Sequence, residues 1–348
     1  MKTYLIILLA FVQFGTACAT GKRFIKPNDE KIIISGAWFL DKSDERVVIN
    51  RFDKKTLNNK ATYMNKLNAN TQTGVTISVY TNSEQVTFEF EKRSDAKIRG
   101  CSLGVFKDGK LFKEFKLLKD KWDPVVVTNP DGNKWAKWEV VMPPFYGLNF
   151  TGIEIDKGSD YKKPPENKKK VYVAIGNSIT HGTGQRGSYQ SYPFLLAQSK
   201  GWQLYNLATG GSKISWPVAK MIKDKKIDVI TVLWGYNDWN AGFMDDGRLQ
   251  ANYKKLLELL VKHHPDTKIY CILPTATKRE KPRKGNSTIG QVRQAEKAVV
   301  EDLQKNGNKN LYLIKGYEIS GVNDLKDLVH FSPEGAAGFA DRLEKMIE

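Results

Sequence analysis

Hydrophobic patterning changes period once along this 348-residue chain, and that change limits the architectures open to it. Over residues 24–160 apolar and polar side chains alternate, as in Thr76-Ile77-Ser78-Val79-Tyr80-Thr81 and Val86-Thr87-Phe88-Glu89-Phe90-Glu91. An extended chain with that alternation buries one face and wets the other, so several short antiparallel strands are expected, forming a β-sandwich or jelly roll. The turn-forming residues 81–85 read as a hairpin connection, and so does Asp108-Gly109 between the apolar residues 103–106 and 111–112. Beyond residue 171, short apolar runs at 171–175, 204–207, 227–234, 269–273 and 311–314 alternate with helical spacing at 192–200, 249–263, 289–305 and 334–348. This rhythm predicts an α/β unit with a mostly parallel sheet covered on both faces. Residues 161–170, rich in lysine and proline, are expected to link a β-domain at 24–160 to an α/β domain at 171–348.

The first 19 residues read as an export signal: Lys2 precedes an apolar run too short to span a bilayer, and Ala17-Cys18-Ala19 supplies small residues for cleavage. That implies a periplasmic or extracellular protein, with lipid attachment at Cys18 as the less favoured alternative. Cys101 and Cys271 fall in different domains and are expected to be free thiols. A net charge of +17 favours acidic partners, and export argues against nucleic acid.

The run Val171-Tyr172-Val173-Ala174-Ile175 ends on Gly176-Asn177-Ser178. In an open α/β sheet ligands bind beyond the carboxyl ends of the strands, so this turn presents the Ser178 hydroxyl where a substrate arrives. Asn206-Leu207-Ala208-Thr209-Gly210-Gly211 follows the second strand and can offer the Gly211 N–H; Trp234-Gly235-Tyr236-Asn237 follows the third and can offer the Asn237 amide. Read singly, these are a helix cap, a glycine turn and an Asx turn. Asp327 stands three residues before His330, a spacing that lets a carboxylate orient an imidazole. With His263 and His264 at a helix end and His181 close to Ser178 in the chain, His330 is the base by elimination. Ester hydrolysis needs a nucleophile, a base, an orienting acid and oxyanion donors, and these blocks supply all four.

The order Ser178, Gly211, Asn237, Asp327/His330 resembles the SGNH hydrolases, the GDSL-type esterases, over about residues 171–348. Asn177 stands where the family name carries aspartate. The resemblance implies a flavodoxin-like three-layer αβα domain, a Ser178–Asp327–His330 triad, and an oxyanion hole formed by Ser178, Gly211 and Asn237. No metal or other cofactor is called for. The strings at 73–83 and 141–147 give the first half a looser likeness to the β-sandwich of bacterial two-domain carbohydrate esterases.

Trp234, Tyr236 and Trp239 around Asn237 would suit sugar rings, and the basic run at 278–284, with Lys278 and Arg279 first, would favour an acidic glycan. The expected activity is removal of O-acetyl groups from carbohydrate through an acyl-enzyme. The alternatives are a lipid acylhydrolase or thioesterase on the same triad, or a carbohydrate-binding envelope protein without activity.

Overall fold

A computed structural model describes residues 21–119, 123–165 and 169–348. The export-signal expectation, Cys18 included, lies outside the described residues, as do residues 166–168 of the expected linker.

The first half is a sandwich of two antiparallel sheets. One holds Phe39–Lys42, Val47–Asn50, Leu148–Asp156, Gln85–Lys92 and Val125–Thr128, with Lys22–Ile25 along Leu148–Asp156. The other holds Tyr161–Lys162, Thr76–Thr81, Ala136–Val141, Cys101–Lys107 and Lys110–Leu117, with Ile33–Ser35 along Thr76–Thr81. The inward residues of both, among them Ile77, Val79, Val86, Phe88, Val105, Trp138 and Ile153, make one buried core.

The Asp108-Gly109 expectation holds. Lys107 pairs with Lys110, and φ is +49° and +82° at the two central residues, as a type I′ turn requires. The hairpin expected at 81–85 is a correction. Thr76–Thr81 pairs with Ala136–Val141, whereas Gln85–Lys92 pairs with Leu148–Asp156 in the opposite sheet. The chain crosses the sandwich there, so the two apolar faces meet through the core. Asp156 pins the crossing by accepting from Ser83 Oγ at 2.9 Å and from the Gln85 N–H at 2.8 Å.

The second half carries five parallel strands in the order Gln203–Asn206, Val171–Gly176, Val229–Leu233, Lys268–Ile272, Leu311–Ile314. This is the flavodoxin-like order, with its switch point beside Val171–Gly176. In that order right-handed crossovers put the first and last helices on one face and the helices between them on the other. Tyr192–Ser199 packs with Pro333–Glu344, and Pro217–Met221 and Ile289–Lys305 each pack on Arg248–His263. Helical spacing puts Leu249, Tyr253, Leu256, Leu257 and Leu260 on one buried stripe of Arg248–His263. Cys101 and Cys271 are free thiols, and no helix among the described residues is long and apolar enough to cross a membrane.

The two halves are not loosely tethered. Phe52, Ala69, Phe106 and Val141 of the first half belong to the hydrophobic core of the second. Tyr161–Lys162, inside the stretch expected to link them, is an edge strand of the sandwich.

Candidate active site

Strand Val171–Gly176 ends where only glycine fits: a Cβ on Gly176 would lie 2.4 Å from Thr180 Oγ1 and 2.6 Å from the Leu233 carbonyl. The next residue, Asn177, caps the short helix Ser178–His181, its Oδ1 accepting the Ile179 N–H at 3.1 Å. Capping therefore falls to Asn177, and Ser178 is the first helical residue, whose own N–H has no acceptor within the helix.

Ser178 Oγ is 2.8 Å from His330 Nε2, and His330 Nδ1 is 2.8 Å from Asp327 Oδ2. A carboxylate only accepts, so Nδ1 carries the proton and Nε2 is left to accept from the serine hydroxyl. Asp327 Oδ1 also accepts the Val329 and His330 N–H groups, each at 2.8 Å. Partial burial works to raise the Asp327 carboxyl, but these N–H donors and the imidazole outweigh it and hold it below the usual carboxylate value. The loop bearing both residues is held by the strand-like pair Leu325 and Phe331, and by hydrogen bonds from the Lys278 N–H (2.9 Å) and Thr277 Oγ1 (2.9 Å) to the Leu328 carbonyl.

Gly211 sits at φ +80° with open space on its side-chain face, so conformation and not crowding asks for glycine here. Asn237 follows Gly235, also left-handed at φ +88°, where a Cβ would lie 2.1 Å from the Glu296 carboxylate. Asn237 Nδ2 donates to the Ser212 carbonyl at 2.9 Å, which fixes the amide and leaves its second N–H directed elsewhere. Ser212 is the hub of this corner. Its hydroxyl receives the Trp234 indole N–H at 3.0 Å and lies within reach of the Thr209 and Gly176 carbonyls. Buried Asp238 accepts the Ile214 N–H at 3.1 Å; burial pushes its carboxyl up to about 7 against that hydrogen bond.

Arg51 and Asn68 in this corner carry no sequence motif, and His181 is singled out from the sequence only to be set aside as a candidate base. His181 is buried between the halves; because a peptide N–H can only donate, Gly210 N–H to Nδ1 (2.8 Å) makes the imidazole an acceptor there and a donor through Nε2 to the Pro144 carbonyl at 2.6 Å. Burial, with the Arg51 charge second, pushes its pKa well down, so it stays neutral. Arg51, fully buried, donates to the carbonyls of Thr71 (2.6 Å), Asn206 (2.7 Å) and Ala208 (2.7 Å), and Asn68 Nδ2 donates to the Gly210 carbonyl at 2.9 Å. The loop from Asn206 to Gly210 is thus shared: its N–H groups at Leu207 and Thr209 bond to the Ala174 and Gly176 carbonyls of the neighbouring strand, and its carbonyls at Asn206, Ala208 and Gly210 bond to the β-sandwich half. No local sequence signal marks Arg51 for this role, because its burial and its partners are set by the fold.

Ser178, Tyr236, Asn237, Arg279, Asp327 and His330 line one cleft of about 340 Å³, together with Asn240 and Arg283. Trp234 and Trp239 do not belong to it. Both are buried in the core, their indole N–H groups turned to Ser212 and to the Ser287 carbonyl, so neither has a face for a sugar. Tyr236 reaches the cleft, and its hydroxyl accepts from Arg279 Nε at 3.0 Å. Lys278 is exposed and lines neither this cleft nor the cavity beside it.

Residues 174–337 match the model of the GDSL-like lipase/acylhydrolase family. The second half is a GDSL-type (SGNH) domain. No match to the sequence was found among curated proteins. Among solved structures, a salicylyl-acyltransferase from a tetracycline biosynthetic pathway is similar at 21% identity and TM-score 0.78, over 92% of this chain and 95% of its own. A putative GDSL-like lipase from Bacteroides ovatus is similar at 20% identity and TM-score 0.75, over 94% and 97%. An acetyl xylan esterase from the rumen bacterium Butyrivibrio proteoclasticus is similar at 12% identity and TM-score 0.66, over 93% and 98%. These likenesses span both halves, so the pairing of sandwich and GDSL domain is a shared fold.

Proposed function

We propose that this protein is an exported serine esterase that removes O-acetyl groups from carbohydrate. The observation that carries the reading is the hydrogen-bonded chain from Ser178 through His330 to Asp327 at the mouth of a polar cleft. In this reading His330 Nε2 takes the hydroxyl proton as Ser178 Oγ attacks the ester carbonyl, and Asp327 stabilises the imidazolium that forms. The N–H groups of Ser178 and Gly211 and the free amide proton of Asn237 receive the oxyanion. The imidazolium then protonates the departing sugar oxygen. Water, deprotonated by the same nitrogen, cleaves the acyl-serine and releases acetate.

Two features support a short acyl group on a polar alcohol over a lipid ester. The cleft at Ser178 is lined mainly by polar and charged side chains, with Leu328 and Val329 its only aliphatic ones, which suits acetyl and not a long chain. The domain pairing is one shared with an acetyl xylan esterase. Export agrees with a polymeric substrate outside the cell.

The test is hydrolysis of 4-nitrophenyl acetate and 4-nitrophenyl octanoate by the wild type and by Ser178→Ala. The wild type is expected to turn over acetate, octanoate to be much slower, and the variant to lose about three or more orders of magnitude in kcat. Equal rates for wild type and variant would remove Ser178 as the nucleophile, and a preference for octanoate would favour a lipid acylhydrolase.

A further inference from the structure

At Asn237 the catalytic cleft continues into a second cavity of about 500 Å³ whose lining includes Lys213, Phe243, Arg248, Arg283 and Lys284. The two share Asn237, Asn240 and Arg283, so a ligand with its ester at Ser178 can extend into the second without leaving the surface. Four lining residues are cationic and none is acidic. Arg248 is paired with Asp246 at 2.5 Å; among the described residues Lys213, Arg283 and Lys284 form no salt bridge, and the charge of Lys213 is felt by the buried Asp238 carboxyl behind the cavity.

The frame that carries these charges is built. Phe243 lies beneath two of them, with the Arg248 guanidinium 3.6 Å and Lys213 Nζ 5.4 Å from the ring centre. The stretch holding Arg283 and Lys284 is pinned at both ends: Asn240 Oδ1 accepts the Arg283 N–H at 2.9 Å, and Asp245 accepts the N–H groups of Asn286 at 3.2 Å and Ser287 at 3.1 Å. Like charges gathered in a concave site repel one another and focus a positive potential, which an entering anion relieves.

We propose that this cavity is an anion subsite for the sugar chain whose acetyl ester occupies the Ser178 cleft, and that the preferred substrates are O-acetylated glycans bearing a carboxylate or sulfate near the acetylated sugar. The inference rests on the esterase reading for the position of the ester. It also moves the basic determinant away from Lys278 and Arg279, one exposed outside the cavity and the other engaged with Tyr236.

The experiment uses full-length Ser178→Ala protein, titrated calorimetrically with oligogalacturonate, a sulfated oligosaccharide and neutral xylo-oligosaccharide of equal length. At least one anionic ligand is expected to bind about tenfold or more tighter than the neutral one at low salt, and to lose most of that advantage in 0.5 M salt as screening shortens to about 4 Å. Which anionic ligand binds separates carboxylate from sulfate recognition. Adding Lys213→Gln and Lys284→Gln should weaken the anionic ligand about fivefold or more. With Ser178 restored, the same pair should lower, by a similar factor, the ratio of kcat/KM on acetylated anionic over acetylated neutral glycan. Equal binding of anionic and neutral ligands, or no response to the double change, overturns the subsite. Anion binding with no turnover of any acetyl ester would instead count against the esterase reading and leave the subsite standing.

Discussion

At Asp327 the carboxylate does two jobs that mutation can separate. It accepts the imidazole N–H and it closes its own turn through two backbone N–H groups. In the proposed mechanism, removing the base stops proton transfer outright, whereas removing the orienting acid leaves an imidazole that still samples the right tautomer. His330→Ala should therefore lose more kcat on 4-nitrophenyl acetate than Asp327→Ala, by a further factor on the order of ten or more; comparable losses would contradict that division. Asp238 supports a second prediction. Its carboxyl lies well above the ordinary value of 3.8, at about 7, so between those values the folded protein holds a proton that the unfolded chain has released. Its contribution to stability is therefore full below about pH 4, falls as pH rises through 7, and is level beyond. Asp238→Asn should flatten that part of a plot of Tm against pH, and an unchanged slope would show that Asp238 does not titrate there.

At the scale of the element, glycines that look alike in the sequence answer to different forces. Gly176 is set by space: a methyl group would meet Thr180 and the neighbouring strand's Leu233 carbonyl, so Gly176→Ala should cost about 1–3 kcal/mol in denaturant unfolding by overpacking. Gly211 is set by backbone conformation, with nothing within 4 Å of an added Cβ, so Gly211→Ala should cost only about 1 kcal/mol and keep its N–H in place. If Gly211→Ala proves the more damaging to stability, that reading of the turn is wrong. The same scale explains the one misread connection. Alternation locates a strand and its buried face but says nothing about which strand accepts its hydrogen bonds. Residues 81–85 could join neighbours or cross the sandwich equally well.

Seen as a whole molecule, the β-sandwich half is part of the active-site frame. Arg51 reaches across 155 and 157 residues of chain to the Asn206 and Ala208 carbonyls, and His181 joins Pro144 to the Gly210 peptide. Arg51→Met would leave several buried carbonyls without donors, a loss of at least about 2 kcal/mol. It should also lower kcat more than tenfold at nearly unchanged KM, since in the proposed mechanism the Gly211 N–H, at the end of the loop whose Asn206 and Ala208 carbonyls Arg51 holds, must stay in register with Ser178. Val79→Ala, a cavity in the sandwich core of similar cost, is the control: it should leave kcat near wild type. Equal kcat losses in both would reduce the role of Arg51 to general stability.

What could be read from the chain alone rests on local geometry. The helix stripes, the Asp108-Gly109 turn and each of the short motifs at Ser178, Gly211, Asn237 and Asp327-x-x-His330 depend on residues a few positions apart, and the change of hydrophobic period and the order of those motifs are read by running along the chain. Those suffice to place a GDSL-type sheet behind a β-sandwich. Burial and long-range pairing belong to the tertiary structure, because they depend on what arrives from distant parts of the chain. Folding alone put Trp234 and Trp239 in the core and sent residues 76–92 across two sheets. It also turned Arg51 and His181 into supports for a distant loop and gathered Lys213, Arg248, Arg283 and Lys284 around one cavity.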